Sequence, residues 1–217
     1  SMNGKVSDTI GGLNSAIQVL KDENDDSSDM RVSIKLFDHE EVMLFSSIPV
    51  KDVRPLKEEQ FMPRGQTALL DAIGNTLQFF MEKKVRNSNA YDSCVIYVAT
   101  DGYENASKIY DSEKIKSMIE NAEKIYNIKV LYLGANQDAI MEASKFGINE
   151  NHAINYNETP ENVDAVYRSA AAVIRRARTG EDTSFTPTER QASHISPIAS
   201  MIRSNSGEPP LTRQRIN

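Results

Sequence analysis

The first half of the chain contains two helical patterns of hydrophobic residues separated by two extended ones. Apolar residues recur every three or four positions near the start and again after residue 68, which predicts two amphipathic helices. Between them, residues 31–37 alternate strictly, and an apolar stretch at 42–45 follows a polar turn, so this region predicts a β-hairpin. The helical positions are Val6, Ile10, Leu13, Ile17 and Leu20, then Leu69, Ile73, Leu77 and Phe80.

The second half is centred on an apolar run at residues 94–100 that ends at Asp101 and Gly102. A run that is apolar on both faces predicts an interior strand of a parallel sheet. The carboxyl ends of such strands border the crevice where ligands bind, so Asp101 is the first candidate functional residue. Further strands are predicted at 129–133 and, as a short edge strand, at 152–155. The remaining helices are predicted after a capping Ser112, over 140–146 before Gly147, and from Pro160 behind a capping Thr159.

Strands that alternate with helices predict an α/β fold, a three-layer sandwich around a mainly parallel sheet. We expect this domain to span residues 1–178. Of the 39 residues from Thr179 to Asn217, 21 are Gly, Pro, Ser, Thr, Asn or Gln. Such a segment buries too little apolar surface to offset its ordering entropy, so residues 179–217 are predicted to be a disordered tail.

Composition narrows the classes of function. A length of 217 residues suits one domain with a tail, and a net charge of -6 argues against a dedicated nucleic-acid binder. The single cysteine, Cys94, excludes an internal disulfide and a cysteine-rich zinc site. Three scattered histidines form no transition-metal cluster. Any metal is therefore expected to be a hard cation held by oxygen atoms.

The chain has no apolar run of membrane-spanning length, and its start has no signal-peptide core. The sequence therefore predicts no membrane partner and a reducing, cytoplasmic compartment.

Three polar residues are predicted to gather at the carboxyl ends of the strands. They are Ser1 and Thr67, at the heads of the first two helices, and Asp101. Two hydroxyls and a carboxylate suit Mg²⁺, which prefers oxygen ligands and keeps several waters. Neutral hydroxyl ligands leave the cation with a strong residual positive charge, which attracts an outside carboxylate.

With these residues, the sequence resembles the von Willebrand factor type A (vWA) domain, in the intracellular branch found in bacteria and phages. The adhesion site of that family holds a metal ion with an Asp-x-Ser-x-Ser loop, a later threonine and an aspartate after the next strand. The last two motifs are present in the same order. They read Gly65-Gln-Thr-Ala-Leu-Leu-Asp-Ala-Ile73 and Ala99-Thr-Asp-Gly102.

The resemblance implies a Rossmann-like sheet of strand order 3-2-1-4-5-6 that lacks its central first strand in this chain. Ser1 is then the second serine of the metal-binding loop, whose aspartate and first serine are missing. Ser1 is alternatively a remnant of cloning. Neighbours of a missing strand have unpaired edges, which favours self-association. Whether this chain keeps Mg²⁺, or Mn²⁺ or Ca²⁺, stays open at this point.

The resemblance also implies a role, which is metal-dependent capture of a protein partner through an Asp or Glu side chain, with no catalysis. Thr67 and Asp101 would bind the metal. Asp71 would orient a ligand or a water, while Gly102, Glu104 and Asn105 would shape the rim or contact the partner. Each residue has a simpler alternative: a helix cap for Thr67, a turn for Asp101, a solvated helix position for Asp71, and a polar loop for the others.

Two other functions compete with this one. A metal-free, truncated scaffold is predicted to form oligomers through its open sheet edges. A metal-dependent phosphoryl hydrolase would use Asp101, but the sequence has no Gly-x-x-x-x-Gly-Lys-Ser/Thr loop and no Gly-x-Gly-x-x-Gly motif.

Overall fold

The computed structural model describes residues 6–24, 28–61, 65–100, 102–135 and 138–194. Up to residue 179, the helices and strands follow the order that the hydrophobic pattern predicts. The α-helices are α1 (Val6–Asp22), α2 (Leu69–Arg86), α3 (Ser112–Tyr126), α4 (Ala139–Lys145), α5 (Pro160–Thr179) and α6 (Pro187–Ala192). The strands are β1 (Arg31–Phe37), β2 (Glu41–Pro49), β3 (Cys94–Thr100), β4 (Ile128–Ala135) and β5 (Ala153–Tyr156).

The strands form two sheets of different kinds. β1 and β2 make the predicted antiparallel hairpin, and β3, β4 and β5 make a parallel sheet in that order. Each parallel connection runs through a helix, as parallel pairing requires. The chain is therefore a mixed α/β protein with one three-stranded parallel and one two-stranded antiparallel sheet.

The position of β3 differs from the sequence prediction. The prediction of an interior strand buried on both faces is wrong, because β3 lies at the edge of its sheet and most of its residues are only half-buried. The buried central strand is β4, in which only Lys129 is not buried. Among the described residues, no strand pairs with the outer edge of β3, and that missing neighbour is the physical reason for its exposure.

Shared helical layers hold the two sheets side by side. On one face, Val32 of β1 and Tyr97 of β3 pack against the same cluster, which is built largely from α1, α5 and β4. On the other face, Phe37 of β1 and Ile96 of β3 pack against a cluster that includes residues of α2 and α3. Both sheets thus contribute to the same two apolar layers.

The carboxyl ends of β1 and β3 lie close to the same helix. The carbonyl of Asp38, just after β1, accepts a hydrogen bond of 2.7 Å from the Ala68 N–H at the head of α2. The loop that follows β3 contacts the same helix end, since the Asn105 N–H donates to the Thr67 carbonyl. Both carboxyl ends therefore meet at the N-terminus of α2, and the described residues show no pairing between β1 and β3.

Local signals set the ends of the helices. Thr159 caps α5 by accepting from the Asn162 N–H, Pro160 occupies the first turn, and Gly180 ends the helix in a left-handed conformation, as its φ of 73° shows. The prediction that Ser112 caps α3 is wrong. Asp111 is the cap, and its carboxylate accepts from the Lys114 N–H. The acid one residue earlier satisfies the free N–H that the serine was expected to satisfy.

Gly12, in the middle of α1, allows close packing against α5. A Cβ on Gly12 would lie 2.6 Å from Cδ2 of Tyr167 on α5. Any side chain at this position would collide with the ring. The two helices therefore approach closely because residue 12 has none.

Disorder after Thr179 is a third incorrect prediction for residues 180–194. Residues 181–194, which we call the strap, cross the outer side of β5 and contain α6. Phe185 is 4% exposed within the cluster formed largely by α1, α5 and β4, and Ser193 is fully buried. Composition missed the strap because one buried ring and a few polar contacts order a segment that is otherwise hydrophilic. Residues 195–217 of the predicted tail lie outside the described residues.

The strap covers the open edge of the parallel sheet. Arg190 donates to the Ala153 carbonyl at 2.7 Å, and the Ser193 hydroxyl donates to the Asn155 carbonyl at 2.8 Å. These two strand carbonyls, two residues apart, point to the same side of β5. Side chains of the strap thus donate hydrogen bonds to backbone carbonyls at this edge, which would otherwise be open to pairing with another chain.

Replacing Phe185 by alanine tests whether the strap contributes to stability. We expect the free energy of unfolding to fall by about 3 kcal/mol, because a buried ring is removed and a cavity is left. Phe79→Ala is the matched control, since Phe79 is 41% exposed and its loss costs less. Chemical denaturation measures both, and equal effects would contradict a packed strap.

None of the described helices combines the length and the apolar character that a membrane crossing needs.

Candidate functional site

The candidate site lies where the N-terminus of α2 meets the loop after β3. We call residues 65–71 together with residues 102–110 the corner. The corner joins the two sequence motifs that carry the vWA resemblance. Ser1 and Asp101, two of the predicted metal ligands, lie outside the described residues, and Thr67 lies within them.

Thr67 and Asn105 hold the two segments together by a reciprocal pair of hydrogen bonds. The Thr67 N–H donates to Asn105 Oδ1 at 2.9 Å, and the Asn105 N–H donates to the Thr67 carbonyl at 3.1 Å. The predicted rim residue Asn105 therefore positions the backbone of Thr67. It also places Thr67 next to residues 102–110 of the loop after β3.

The Thr67 hydroxyl is not used as a helix cap. The cap position of α2 is Ala68, which has no capping side chain. Within the described residues, the Thr67 hydroxyl makes no hydrogen bond, because both bonds of this residue use its backbone. A half-buried hydroxyl without a local partner at a helix terminus is available to a ligand.

Glu104 supplies the cap that Thr67 does not. Its carboxylate accepts hydrogen bonds from the Leu70 N–H in the first turn of α2 and from the Ala106 and Ser107 N–H groups of its own loop. The Ser107 hydroxyl donates to the same carboxylate at 2.7 Å. A carboxylate at a helix N-terminus also interacts favourably with the helix dipole. Glu104, predicted to lie on the rim, thus fastens the loop to α2.

Asp71 fastens the corner from the opposite side. It is 8% exposed, and its carboxylate accepts from three successive N–H groups, those of Lys108, Ile109 and Tyr110, at 2.8 to 3.0 Å. Burial raises the pKa of Asp71, but these N–H groups and the nearby Lys108 charge outweigh it and hold the pKa below 3.8. Asp71 is therefore an ionised anchor of the loop rather than a solvated helix residue.

Three residues of this arrangement were not singled out from the sequence. The Thr100 hydroxyl interacts with both the N–H and the carbonyl of Gly102, at 3.1 Å each, and so holds the start of the described loop against the end of β3. The Ser107 hydroxyl also accepts from the Asp71 N–H. The ring of Tyr110 lies so close to Gly74 that a Cβ there would be 2.5 Å from it. The polar run from Glu104 to Ser107 was the available signal, but its partners are 34 or more residues away.

The carboxylates of the corner are engaged by N–H groups, which limits the possible metal ligands. No group of three His, Cys, Asp or Glu side chains among the described residues is arranged to hold a metal ion. In the described part of the corner, the Ser107 and Tyr110 hydroxyls already donate to Glu104 and Gln78, whereas the Thr67 hydroxyl makes no such bond. A cation at this place would therefore need Asp101 and water molecules as further ligands.

The surface around the corner is open and partly apolar. A shallow groove of about 320 Å³ is lined in part by Ala68, Asp71 and Ile109. Ile109 is 68% exposed and Tyr103 is 55% exposed, although both belong to the loop that Glu104 and Asp71 hold in place. Apolar side chains fixed on a rigid loop in this way are suited to contact another protein.

Cys94 is not arranged as a nucleophile. Burial raises the pKa of its thiol to about 12, and the charge of Lys83 lowers it only partly. The thiol is therefore protonated at neutral pH, whereas a reactive cysteine is a thiolate.

Comparisons with known proteins do not assign the chain to a family. No family model and no curated protein matches it. Among solved structures, proximal thread matrix protein 1 from the mussel byssus is similar over 76% of this chain, at 14% identity and a TM-score of 0.49. The match covers 42% of the length of that protein.

Proposed function

We propose that this chain is a protein-binding module of the vWA kind. A divalent cation, Mg²⁺ or Mn²⁺ by preference, is held by Thr67 and Asp101, and a carboxylate of the partner completes its coordination. No chemical reaction is involved. The observation that carries the proposal is the Thr67 hydroxyl, which makes no hydrogen bond within the described residues, on a residue that Asn105 holds against the loop after β3.

The division of roles in the corner supports this proposal. The carboxylates of Asp71 and Glu104 accept hydrogen bonds from backbone N–H groups, so they position the loop rather than coordinate a metal. A cation bound by one hydroxyl and one aspartate, with water elsewhere, keeps most of its positive charge. Such a cation binds an external carboxylate strongly, because the ligand replaces water and adds the missing negative charge.

The arrangement of the layers supports the finer fold assignment. The clusters of α1 and α5 and of α2 and α3 lie on opposite faces of β3. We infer a three-layer vWA-like sandwich in which a strand position between β1 and β3 is empty. The site then lies at the carboxyl ends of the strands, where α/β proteins bind their ligands.

Thermal unfolding with and without MgCl₂ or MnCl₂ tests the metal role. At a cation concentration about 100 times the dissociation constant, binding to the folded state adds about 2.7 kcal/mol of stability. We expect Asp101→Ala to abolish the increase in melting temperature. Asp92→Ala is the matched control, because residue 92 precedes β3 at the opposite end of the strand and should leave the increase intact. A wild-type melting temperature that neither cation changes would refute the proposal.

The open strand edges favour a second candidate function, that of a metal-free scaffold that associates with itself. The outer edge of β3 is apolar and half-buried, and β1 pairs on one side only within the described residues. Unpaired edges of this kind pair readily with other chains. Concentration-dependent oligomers in size-exclusion chromatography, unchanged by divalent cations, would favour the scaffold over the metal-dependent module.

A further inference from the structure

The strap is connected to the rest of the protein through a buried histidine. His152 ends the short 3₁₀ helix Glu150–His152 just before β5 and is 8% exposed. Its Nε2 lies 3.0 Å from the hydroxyl of Thr183 in the strap. One residue before His152, the Asn151 carbonyl accepts from the Phe185 N–H at 2.9 Å. His152 therefore lies directly beneath the segment that carries the buried ring of Phe185.

In the described part of the chain, the second ring nitrogen of His152 has no hydrogen-bond partner. Nδ1 is buried and makes no hydrogen bond within the described residues, which is unusual for a buried polar atom. The nearest acid, Glu123 of α3, has its Oε1 4.0 Å away, beyond hydrogen-bonding distance. The ring is thus held by a single hydrogen bond, and that bond is to the strap.

The charges around His152 come from three elements. Glu123 belongs to α3, Lys129 to β4 and Asp182 to the strap, and Lys129 lies 3.7 Å from the Glu123 carboxylate. Burial lowers the pKa of His152, and the positive charge of Lys129 lowers it further. The negative charges of Glu123 and Asp182 raise it only partly, so the pKa lies below the ordinary value of 6.5. Neutral His152 is therefore the form that the folded protein favours.

The strap also carries charged contacts that do not titrate near neutral pH. Arg176 of α5 binds the Glu189 carboxylate at 2.8 Å and the Ser184 carbonyl at 3.0 Å, and Arg190 donates to two backbone carbonyls. Burial raises the pKa of Glu189, but Arg176 and the Thr186 N–H outweigh it and keep the pKa below 4.5. Two described histidines belong to this region, the buried His152 beneath the strap and the exposed His194 at the end of the strap, and His152 is the one that packs under the segment carrying Phe185.

We propose that protonation of His152 releases the strap from β5 and uncovers the outer edge of the parallel sheet. A positive charge at this position is buried beside the apolar site of Phe185 and has no hydrogen-bonded acid. Opening of the strap lets water reach the ring. The Ala153 and Asn155 carbonyls lose their hydrogen bonds from Arg190 and Ser193 and become available to pair with another strand. This device does not depend on the cation at Thr67.

The direction of the pH dependence follows from the lowered pKa. The closed strap binds a proton on His152 less readily than the open strap does. Closure is therefore fully favoured above about pH 6.5, the ordinary pKa of histidine. It is lost as the pH falls through the lower pKa that His152 has in the closed state. We expect opening to be confined to this acidic range.

Nuclear magnetic resonance during a pH titration tests the proposal on the full chain. The Cε1–H signal of His152 and the amide signals of Thr183 and Phe185 should change with one common midpoint below pH 6.5. His152→Gln, which keeps a neutral polar side chain, should remove the transition of the strap. His194→Gln is the matched control, because His194 is the exposed histidine of the strap itself and its loss should leave the transition in place.

Two substitutions of partly exposed charges test the mechanism with the histidine in place. Glu123→Gln should move the midpoint to lower pH by about 0.3 units, and Lys129→Gln should move it to higher pH by about the same amount. Opposite shifts would show that the charge on His152 controls the strap. Strap signals that titrate unchanged in both variants, or that do not titrate at all, would overturn the proposal, even if His152→Gln fails to fold.

Discussion

Asp71→Ala is expected to be among the most destabilising substitutions in this protein. The free energy of unfolding should fall by about 3 kcal/mol or more, because three backbone N–H groups lose a charged acceptor in a buried position. The loop after β3 should then detach from α2. Chemical denaturation measures the loss of stability, and hydrogen exchange at residues 108–110 measures the detachment.

Asparagine variants separate charge from packing at this position. Asp71→Asn keeps the shape but places an NH₂ group against N–H donors, so it should also be destabilising. Asp111→Asn is the matched control, since asparagine caps helices about as well as aspartate and Asp111 accepts one N–H. Similar effects of Asp71→Asn and Asp111→Asn would contradict the role of Asp71 as the anchor of the loop.

The lowered pKa of Asp71 adds a pH dependence with a defined sign. Because its folded-state pKa lies below 3.8, ionised Asp71 stabilises the protein at neutral pH, and this contribution is lost as the pH falls through the folded value. Asp71→Asn should therefore flatten the acid side of the stability profile. An acid limb that is unchanged in the variant would show that other carboxylates account for it.

The second large effect is expected from filling the strand position between β1 and β3. A peptide of about seven residues, apolar on both faces, matches the length of β1 and β3 and the two apolar layers beside them. At about 100 times its dissociation constant it should raise the free energy of unfolding by about 2.7 kcal/mol. It should also convert oligomers to monomers, because the open edges become paired.

A proline in the middle of the same peptide provides the control. Proline has no N–H to donate and is excluded from strands that pair on both sides, so this peptide should not bind. Size-exclusion chromatography and thermal unfolding report both effects. A stable monomer that responds to neither peptide would show that β1 and β3 do not flank a usable strand position.

Periodicity predicted most of the secondary structure but not the neighbours of each strand. The run at residues 94–100 is equally apolar whether its strand lies inside a sheet or at an edge. Its edge position depends on which strands pair with it, and that is a property of the whole fold. The strap was missed for a related reason, because its order depends on Phe185 and on side-chain contacts with β5.

The site shows the same division between local and long-range information. The motifs led to Thr67, Asp71, Glu104 and Asn105, all of which lie in the corner. Their actual roles depend on hydrogen bonds between segments 34 to 39 residues apart, which spacing along the chain does not show. Glu104 and Asp71 were expected at the rim or behind a ligand, and the structure shows them binding the backbone. The metal roles of Thr67, Asp101 and Ser1 remain predictions.

The central claim is that Thr67 and Asp101 hold one divalent cation, and Mn²⁺ binding tests it most directly. Electron paramagnetic resonance of free Mn²⁺, recorded while the protein is titrated, gives the number of sites and their affinity. We predict one saturable site per chain, weakened about tenfold or more in Thr67→Val and lost in Asp101→Ala. Absence of saturable binding, or equal affinity in the wild type and both variants, would contradict the claim.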